Sequence, residues 1–133
     1  MTETPAHAAI ARSLERLAEV HGDPADAVYR RLFAEHPQLE PLFVLDREGQ
    51  VRGNMLANVF DTLLDISGER RHGLNFIHAE RINHEAIGVS PALFARFFEI
   101  VLETTRDCLG AEWTPEIETA WRAALAEINA ADA

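Results

Sequence analysis

The sequence has very little cysteine: Cys108 is the only one among 133 residues. A single cysteine allows neither an internal disulfide nor a cysteine-based metal cluster, so we expect a reducing compartment. No apolar run approaches the roughly 18 residues that a membrane-spanning helix requires. The start, MTETPAHAAI, also lacks the basic and apolar regions of a signal peptide. These absences predict a soluble, cytoplasmic protein with no membrane partner.

Positive charge is scarce as well. Twelve lysine and arginine residues stand against 22 acidic residues, which gives a formal net charge of -10. A surface of this sign repels phosphate backbones, so we expect no nucleic-acid partner. The length is typical of one domain, and 47% hydrophobic residues are enough for one core. We therefore predict a single domain over residues 1–133.

The sequence also lacks a useful stretch in which apolar and polar residues alternate, so we predict no β-sheet. The apolar spacing is helical instead. Four helix starts are indicated by a capping residue followed by proline. They are Thr4-Pro5, Asp23-Pro24, Ser90-Pro91 and Thr114-Pro115. Six or seven helices of unequal length with irregular links favour steep helix crossings around a central group over a simple four-helix bundle.

The middle of the chain is divided by helix-breaking residues. Pro37 is expected to end the second helix, because the residue before a proline avoids the helical region. Ser67-Gly68 is expected to end a longer helix. The predicted segments here are a turn over 38–43, a loop over 44–50, a helix over about 51–65 and a weaker helix over about 74–84.

Three stretches, taken in order and spacing, resemble the globin family. They are VYRRLFAEHPQLEPLF (28–43), NHEAIGVSPALF (83–94) and GAEWTPEIETAWRAALAEI (110–128). The chain is similar to single-domain bacterial haemoglobins and to the globin domain of flavohaemoglobins over almost its whole length. The resemblance implies an all-α, globin-like fold of six to seven helices around a haem pocket, with haem b (iron protoporphyrin IX) as cofactor.

In these relatives the iron-binding histidine stands four residues before a glycine, as His84 stands before Gly88. The resemblance thus implies that His84 is the metal ligand. Its other ring nitrogen is expected to donate to a backbone carbonyl one turn earlier. His78 lies six residues away, on a helix face about 120° from His84, and His72 a further six away. We therefore expect no multi-histidine metal site.

The resemblance assigns further residues to cofactor binding. Tyr29, if it is not simply a core aromatic, would donate its hydroxyl to the gas ligand, and Phe43 would pack on the haem ring. On the distal side, Arg52 matches the family position, with Gln50 as the alternative and Leu56 one turn further on. Arg52 could equally be exposed or pair with a haem propionate. The apolar cavity would be lined by Phe60, Val89, Phe94 and Phe97, which could otherwise fill an ordinary core.

Three residues depart from the family pattern, and the first is Asn83, which replaces the basic residue that often precedes the histidine. Glu80 lies one turn before His84, where relatives usually carry an apolar side chain against the porphyrin. Burying an unpaired carboxylate is costly, so we expect a distorted helix or a side chain turned toward Arg81 or solvent. Phe94 stands where flavohaemoglobins place a tyrosine, which implies a weaker proximal hydrogen-bond network.

The function implied by the resemblance is reversible binding of O2, and of NO and CO, through a His-ligated iron. One alternative is a nitric oxide dioxygenase that works with a separate reductase. The other is a haem-free sensor module with the same fold. Whether the protein is an enzyme is left open at this point, and the expected assembly is a monomer or a homodimer.

Overall fold

The computed structural model describes residues 4–130, which form six α-helices and two short 3₁₀ helices. The α-helices are α1 (Pro5–His21), α2 (Ala25–Glu35), α3 (Gln50–Ser67), α4 (Gly73–Ala86), α5 (Pro91–Leu109) and α6 (Pro115–Ala130). The 3₁₀ helices span Pro37–Phe43 and Gly110–Glu112. Residues 4–130 contain no strand, and the predicted all-α fold is confirmed. None of these helices is both long and apolar enough to cross a membrane.

The predicted helix starts coincide with side-chain caps. The hydroxyls of Thr4, Ser90 and Thr114 each accept the backbone N–H three residues later, at 3.0, 3.2 and 3.2 Å. Each bond satisfies a donor that has no partner inside the helix. The Asp23 carboxylate plays a similar part before α2 and accepts the Ala25 N–H at 3.0 Å. The starts of α1, α5 and α6 were therefore predictable to the residue.

The segment between α2 and α3 differs from the prediction. Residues Pro37–Phe43 form a 3₁₀ helix rather than a simple turn, and α3 begins at Gln50 and ends at Ser67. The Asp46 carboxylate accepts the N–H groups of Val51 and Arg52, both at 3.0 Å. This cap comes from four residues before the helix, a distance at which the capping-box pattern gives no signal.

The core is centred on α1, α5 and α6. Trp121 is fully buried, and its indole N–H donates to the Ser13 hydroxyl at 2.9 Å. That hydroxyl donates in turn to the carbonyl of Ile10 at 2.7 Å. The polar atoms that the packing encloses here are thus paired. Helix α1 packs against α5, α6 and α3, and α2 packs against α5 and α3.

The beginning of α4 is held by Asp65. This carboxylate accepts the backbone N–H groups of Arg71, His72 and Gly73 at 2.9, 3.1 and 2.6 Å. A side chain at Gly73 would place its Cβ 2.9 Å from Asp65 Oδ2, so only glycine allows this close approach. Asp65 thereby joins the end of α3 to the start of α4.

The middle of α4 is held by the buried side chain of Arg81. Its guanidinium donates to the carbonyl of Ile128 in α6 at 2.9 Å and lies 5.4 Å from the centre of the Phe94 ring in α5. A buried guanidinium is stable only with such partners. Arg81 thus connects the helix that carries His84 to α5 and α6, while Asp65 connects the same helix to α3.

Candidate functional site

A cavity of about 320 Å³ lies among α2, α3, α4, α5 and the first 3₁₀ helix. Its size falls within the range of about 300–1,000 Å³ that is usual for small-molecule sites. The wall is mainly aliphatic and aromatic. The polar side chains that line it are those of Tyr29, Asp46, Asn58, Thr62, Glu80 and His84.

His84 lies on the cavity wall, in the last turn of α4. Its Nδ1 atom is 2.7 Å from the backbone carbonyl oxygen of Glu80, which confirms the predicted hydrogen bond one turn back. Because a carbonyl oxygen can only accept, Nδ1 must carry the proton, and the lone pair is left on Nε2. The imidazole also packs against Phe94, with 5.2 Å between ring centres. The ring is therefore held in the tautomer that binds metals through Nε2.

Tyr29 projects from α2 into the same cavity. Its side chain is 2% exposed, and its hydroxyl has no hydrogen-bond partner among residues 4–130. Burial raises the pKa of the Tyr29 hydroxyl far above its ordinary value, and the nearby Arg52 opposes this only in part. The hydroxyl therefore stays protonated as a donor. A buried polar group without a partner costs about 1–3 kcal/mol, which points to a ligand that accepts this hydrogen bond.

Phe43 and Phe97 pack around Tyr29, with ring centres 5.5 and 5.4 Å away. Both line the cavity. Val89 and Phe94 lie on its wall close to His84 in the chain. The structure thus brings together six of the residues predicted for the cofactor: Tyr29, Phe43, His84, Val89, Phe94 and Phe97.

The other four predicted residues do not line the cavity. Gln50 is exposed, Leu56 is 2% exposed in the core, and Phe60 packs partly buried against the core. Arg52 turns to Asp46, with Nε 3.1 Å from Oδ2 and a second nitrogen 2.9 Å from the Asp46 carbonyl. These four residues therefore lie off the cavity wall, and a part for any of them in cofactor binding stays a prediction.

The face of α3 that lines the cavity is offset from the predicted one by a single residue. It carries Val51, Met55, Asn58, Val59 and Thr62. These residues recur at the spacing of one helix face, whereas each one-residue offset turns a side chain by about 100°. The separation from His84 along the chain did not fix this register, because the irregular links on either side of α3 separate it from the helices before and after it. Met55 and Asn58 were missed for this reason.

The globin family model matches residues 26–131 of the sequence. The chain belongs to the globin family. A search of curated proteins finds no match. Membership of this family agrees with the all-α fold and implies haem binding and the binding of diatomic gases in general. The finer likeness to bacterial haemoglobins stays a prediction.

The residues of this globin fit a haem group. An apolar, aromatic-rich wall suits the porphyrin, and the Nε2 lone pair of His84 suits iron. The Tyr29 hydroxyl, which has no partner among residues 4–130, suits a polar ligand. Haem carboxylates require solvent or cations, and Leu42, Leu45 and Ile87 mark the open side of the cavity, since they line it and are 50%, 88% and 60% exposed.

Glu80 lines the cavity of this globin without distorting α4, which is continuous from Gly73 to Ala86. Its Oε2 atom accepts a hydrogen bond from the Asn83 side-chain amide at 3.0 Å. The residue is partly exposed, so its carboxylate is not buried without a partner. The distorted helix that was one expectation from the sequence is not observed, and the Glu80 side chain lies at the partly exposed edge of the cavity with Asn83 as its partner.

Proposed function

We propose that this globin binds haem b in the cavity and binds O2 reversibly there, with NO and CO as further ligands. The observation that carries the proposal is the orientation of His84: its Nδ1 is engaged by the Glu80 carbonyl at 2.7 Å, and its Nε2 keeps the lone pair. Haem iron, when bound, supplies the coordination position for a diatomic gas. His84 would hold the iron through Nε2.

Tyr29 supports the gas-binding part of the proposal. Its protonated hydroxyl is buried in the cavity and has no partner within residues 4–130, so it is free to donate to a polar ligand. Such a bond favours O2, which becomes polarised on binding, over the less polar CO. The aromatic side chains of Phe33, Phe43 and Phe97 surround the Tyr29 ring and hold the donor in place.

The proximal side favours reversible binding over nitric oxide dioxygenation. His84 donates to a neutral backbone carbonyl, and the ring of Phe94 that packs on it offers no hydrogen bond. A carboxylate or hydroxyl network would make the imidazole a stronger electron donor. Dioxygenation with a separate reductase is therefore the second candidate. It predicts rapid NO consumption by the oxygenated protein when a reductase is added, whereas slow turnover favours a carrier.

A haem-free sensor is the third candidate, and the carboxylates of Asp46 and Glu80 in the cavity wall are the observation that favours it. Titration with haemin separates it from the other two. A haem protein takes up about one haem per chain and develops a strong Soret band. A titration that does not saturate near this ratio would support the sensor.

The role of His84 is tested by comparing two variants in the same titration. We expect His84→Ala to lose the Soret band or shift it strongly. His78→Ala is the matched control, because His78 is an exposed histidine of the same helix that does not line the cavity. We expect this variant to keep the wild-type spectrum. An unchanged spectrum in His84→Ala would exclude His84 as the ligand.

A further inference from the structure

We propose that the Glu80 carboxylate shifts the redox balance of the bound haem toward the ferric state. This inference rests on the proposed haem binding and adds a residue that sets the oxidation state. Glu80 lines the cavity from the same helix as His84. Its backbone carbonyl is the acceptor for His84 Nδ1 at 2.7 Å, so its position relative to the iron ligand is fixed by the helix itself.

The Glu80 carboxylate is also held in place. The Asn83 amide donates to Oε2 at 3.0 Å, across the i to i+3 spacing of one helix face. Asn83 is exposed, whereas Glu80 is partly buried. The carboxylate therefore lies at the border between the cavity and solvent, where the interaction of a charge with the cavity is screened less than on an open surface.

The two carboxylates that belong to described lining residues, Asp46 and Glu80, differ in whether a positively charged side chain within residues 4–130 pairs with them. Asp46 is the other carboxylate among the described lining residues, and its side chain is 6% exposed. It accepts two backbone N–H groups and pairs with Arg52 at 3.1 Å. Glu80 receives its hydrogen bond from a neutral amide instead. The buried Arg81 guanidinium lies 5.4 Å from the centre of the Phe94 ring and donates to the Ile128 carbonyl.

Ferric iron carries one positive charge more than ferrous iron. A carboxylate in the cavity wall therefore stabilises the ferric state more strongly, and net charge and hydrogen bonding are established determinants of haem potentials. The reduction concerned is the transfer of one electron to ferric iron, supplied in the test by dithionite through mediator dyes. Glu80 forms and breaks no covalent bond in this step.

The test is a redox titration of the reconstituted chain, followed by absorbance. We expect Glu80→Gln, which keeps the shape and an oxygen that can accept from Asn83, to raise the ferrous-to-ferric ratio about fivefold at a fixed potential. This corresponds to about 40 mV for a one-electron couple at about 59 mV per tenfold change. Glu85→Gln is the matched control, since Glu85 is an exposed glutamate of α4 that does not line the cavity. We expect it to stay close to the wild type.

A second variant, Asn83→Ala, keeps the charge but frees the carboxylate to move toward water. We expect the ferrous-to-ferric ratio at a fixed potential to rise less in Asn83→Ala than in Glu80→Gln. Equal ratios in Glu80→Gln, Glu85→Gln and the wild type would overturn the inference, and so would a fall in Glu80→Gln. This failure is distinct from that of the proposed function, in which the wild type does not take up one haem at all.

Discussion

The Nδ1 atom of His84 lies 2.7 Å from the backbone carbonyl oxygen of Glu80. This contact fixes both the tautomer and the direction of the imidazole, because a carbonyl can only accept. The side chain of the same residue lines the cavity. Glu80 thus orients the candidate iron ligand through its backbone and affects the charge of the site through its side chain, and substitution separates the two roles.

Replacing Tyr29 by phenylalanine is expected to stabilise the haem-free protein and to weaken O2 binding. The change removes a buried hydroxyl without a partner in residues 4–130, so we expect the free energy of unfolding to rise by about 1 kcal/mol. In the haem-loaded protein the gas ligand loses its donor, and we expect O2 dissociation to become at least about tenfold faster. Denaturant unfolding and stopped-flow spectroscopy measure the two effects.

Ser13→Ala serves as the comparison, because it removes a buried hydroxyl that does have hydrogen-bond partners and is therefore expected to lower the stability. It leaves the Trp121 indole N–H, which is fully buried, without the acceptor it has at 2.9 Å. We expect a loss of about 1–3 kcal/mol and unchanged O2 dissociation. If Tyr29→Phe destabilised the haem-free chain like Ser13→Ala and left O2 dissociation unchanged, Tyr29 would be a structural residue.

The sequence predicts where helices begin better than it predicts which face of α3 lines the cavity, because helix caps depend on residues that are close together in the chain. Thr4, Ser90 and Thr114 cap helices three residues before the amides they bind, and this short-range pattern is legible in the sequence. The role of His84 as the iron ligand was predicted from the resemblance to the globin family, in which the histidine stands four residues before a glycine. The rotation of α3 depends instead on the Asp46 cap and the 3₁₀ helix before it, which come from tertiary packing.

The rotation of α3 is tested by substituting two adjacent residues. Met55 lines the cavity, whereas Leu56 is 2% exposed in the core. We expect Met55→Ala to change CO and O2 binding rates with little loss of stability. We expect Leu56→Ala to cost about 2–5 kcal/mol of unfolding free energy with nearly unchanged rates in the folded fraction. The reverse pattern in flash photolysis and denaturant unfolding would restore the register predicted from the sequence.

The Asp65 cap makes the stability of α4 dependent on pH. Burial alone would raise the pKa of the Asp65 carboxyl, but hydrogen bonds from the N–H groups of Arg71, Gly73 and His72 outweigh it and hold the pKa below its ordinary value. A lowered folded-state pKa adds stability that is complete above the unfolded value of about 3.9 and is lost as the pH falls through the folded value.

We therefore expect Asp65→Ala to lower the unfolding free energy by about 1–2 kcal/mol at neutral pH. The loss should be much smaller at pH values far below about 4, the pKa of the carboxyl in the unfolded chain. Urea titrations at several pH values measure the difference. Asp61→Ala, one turn earlier on α3 and exposed, is the control and should show little change at any pH. A difference for Asp65→Ala that stays constant across this range would contradict the capping account.

The binding of iron by His84 is tested most directly by replacing the side chain and returning imidazole from solution. The absorption spectrum of ferrous, haem-loaded His84→Gly is recorded without and with added imidazole. We predict a spectrum that differs from the wild type without imidazole and returns to the wild-type Soret position when imidazole occupies the vacated space. A wild-type spectrum in His84→Gly before any imidazole is added would contradict the account.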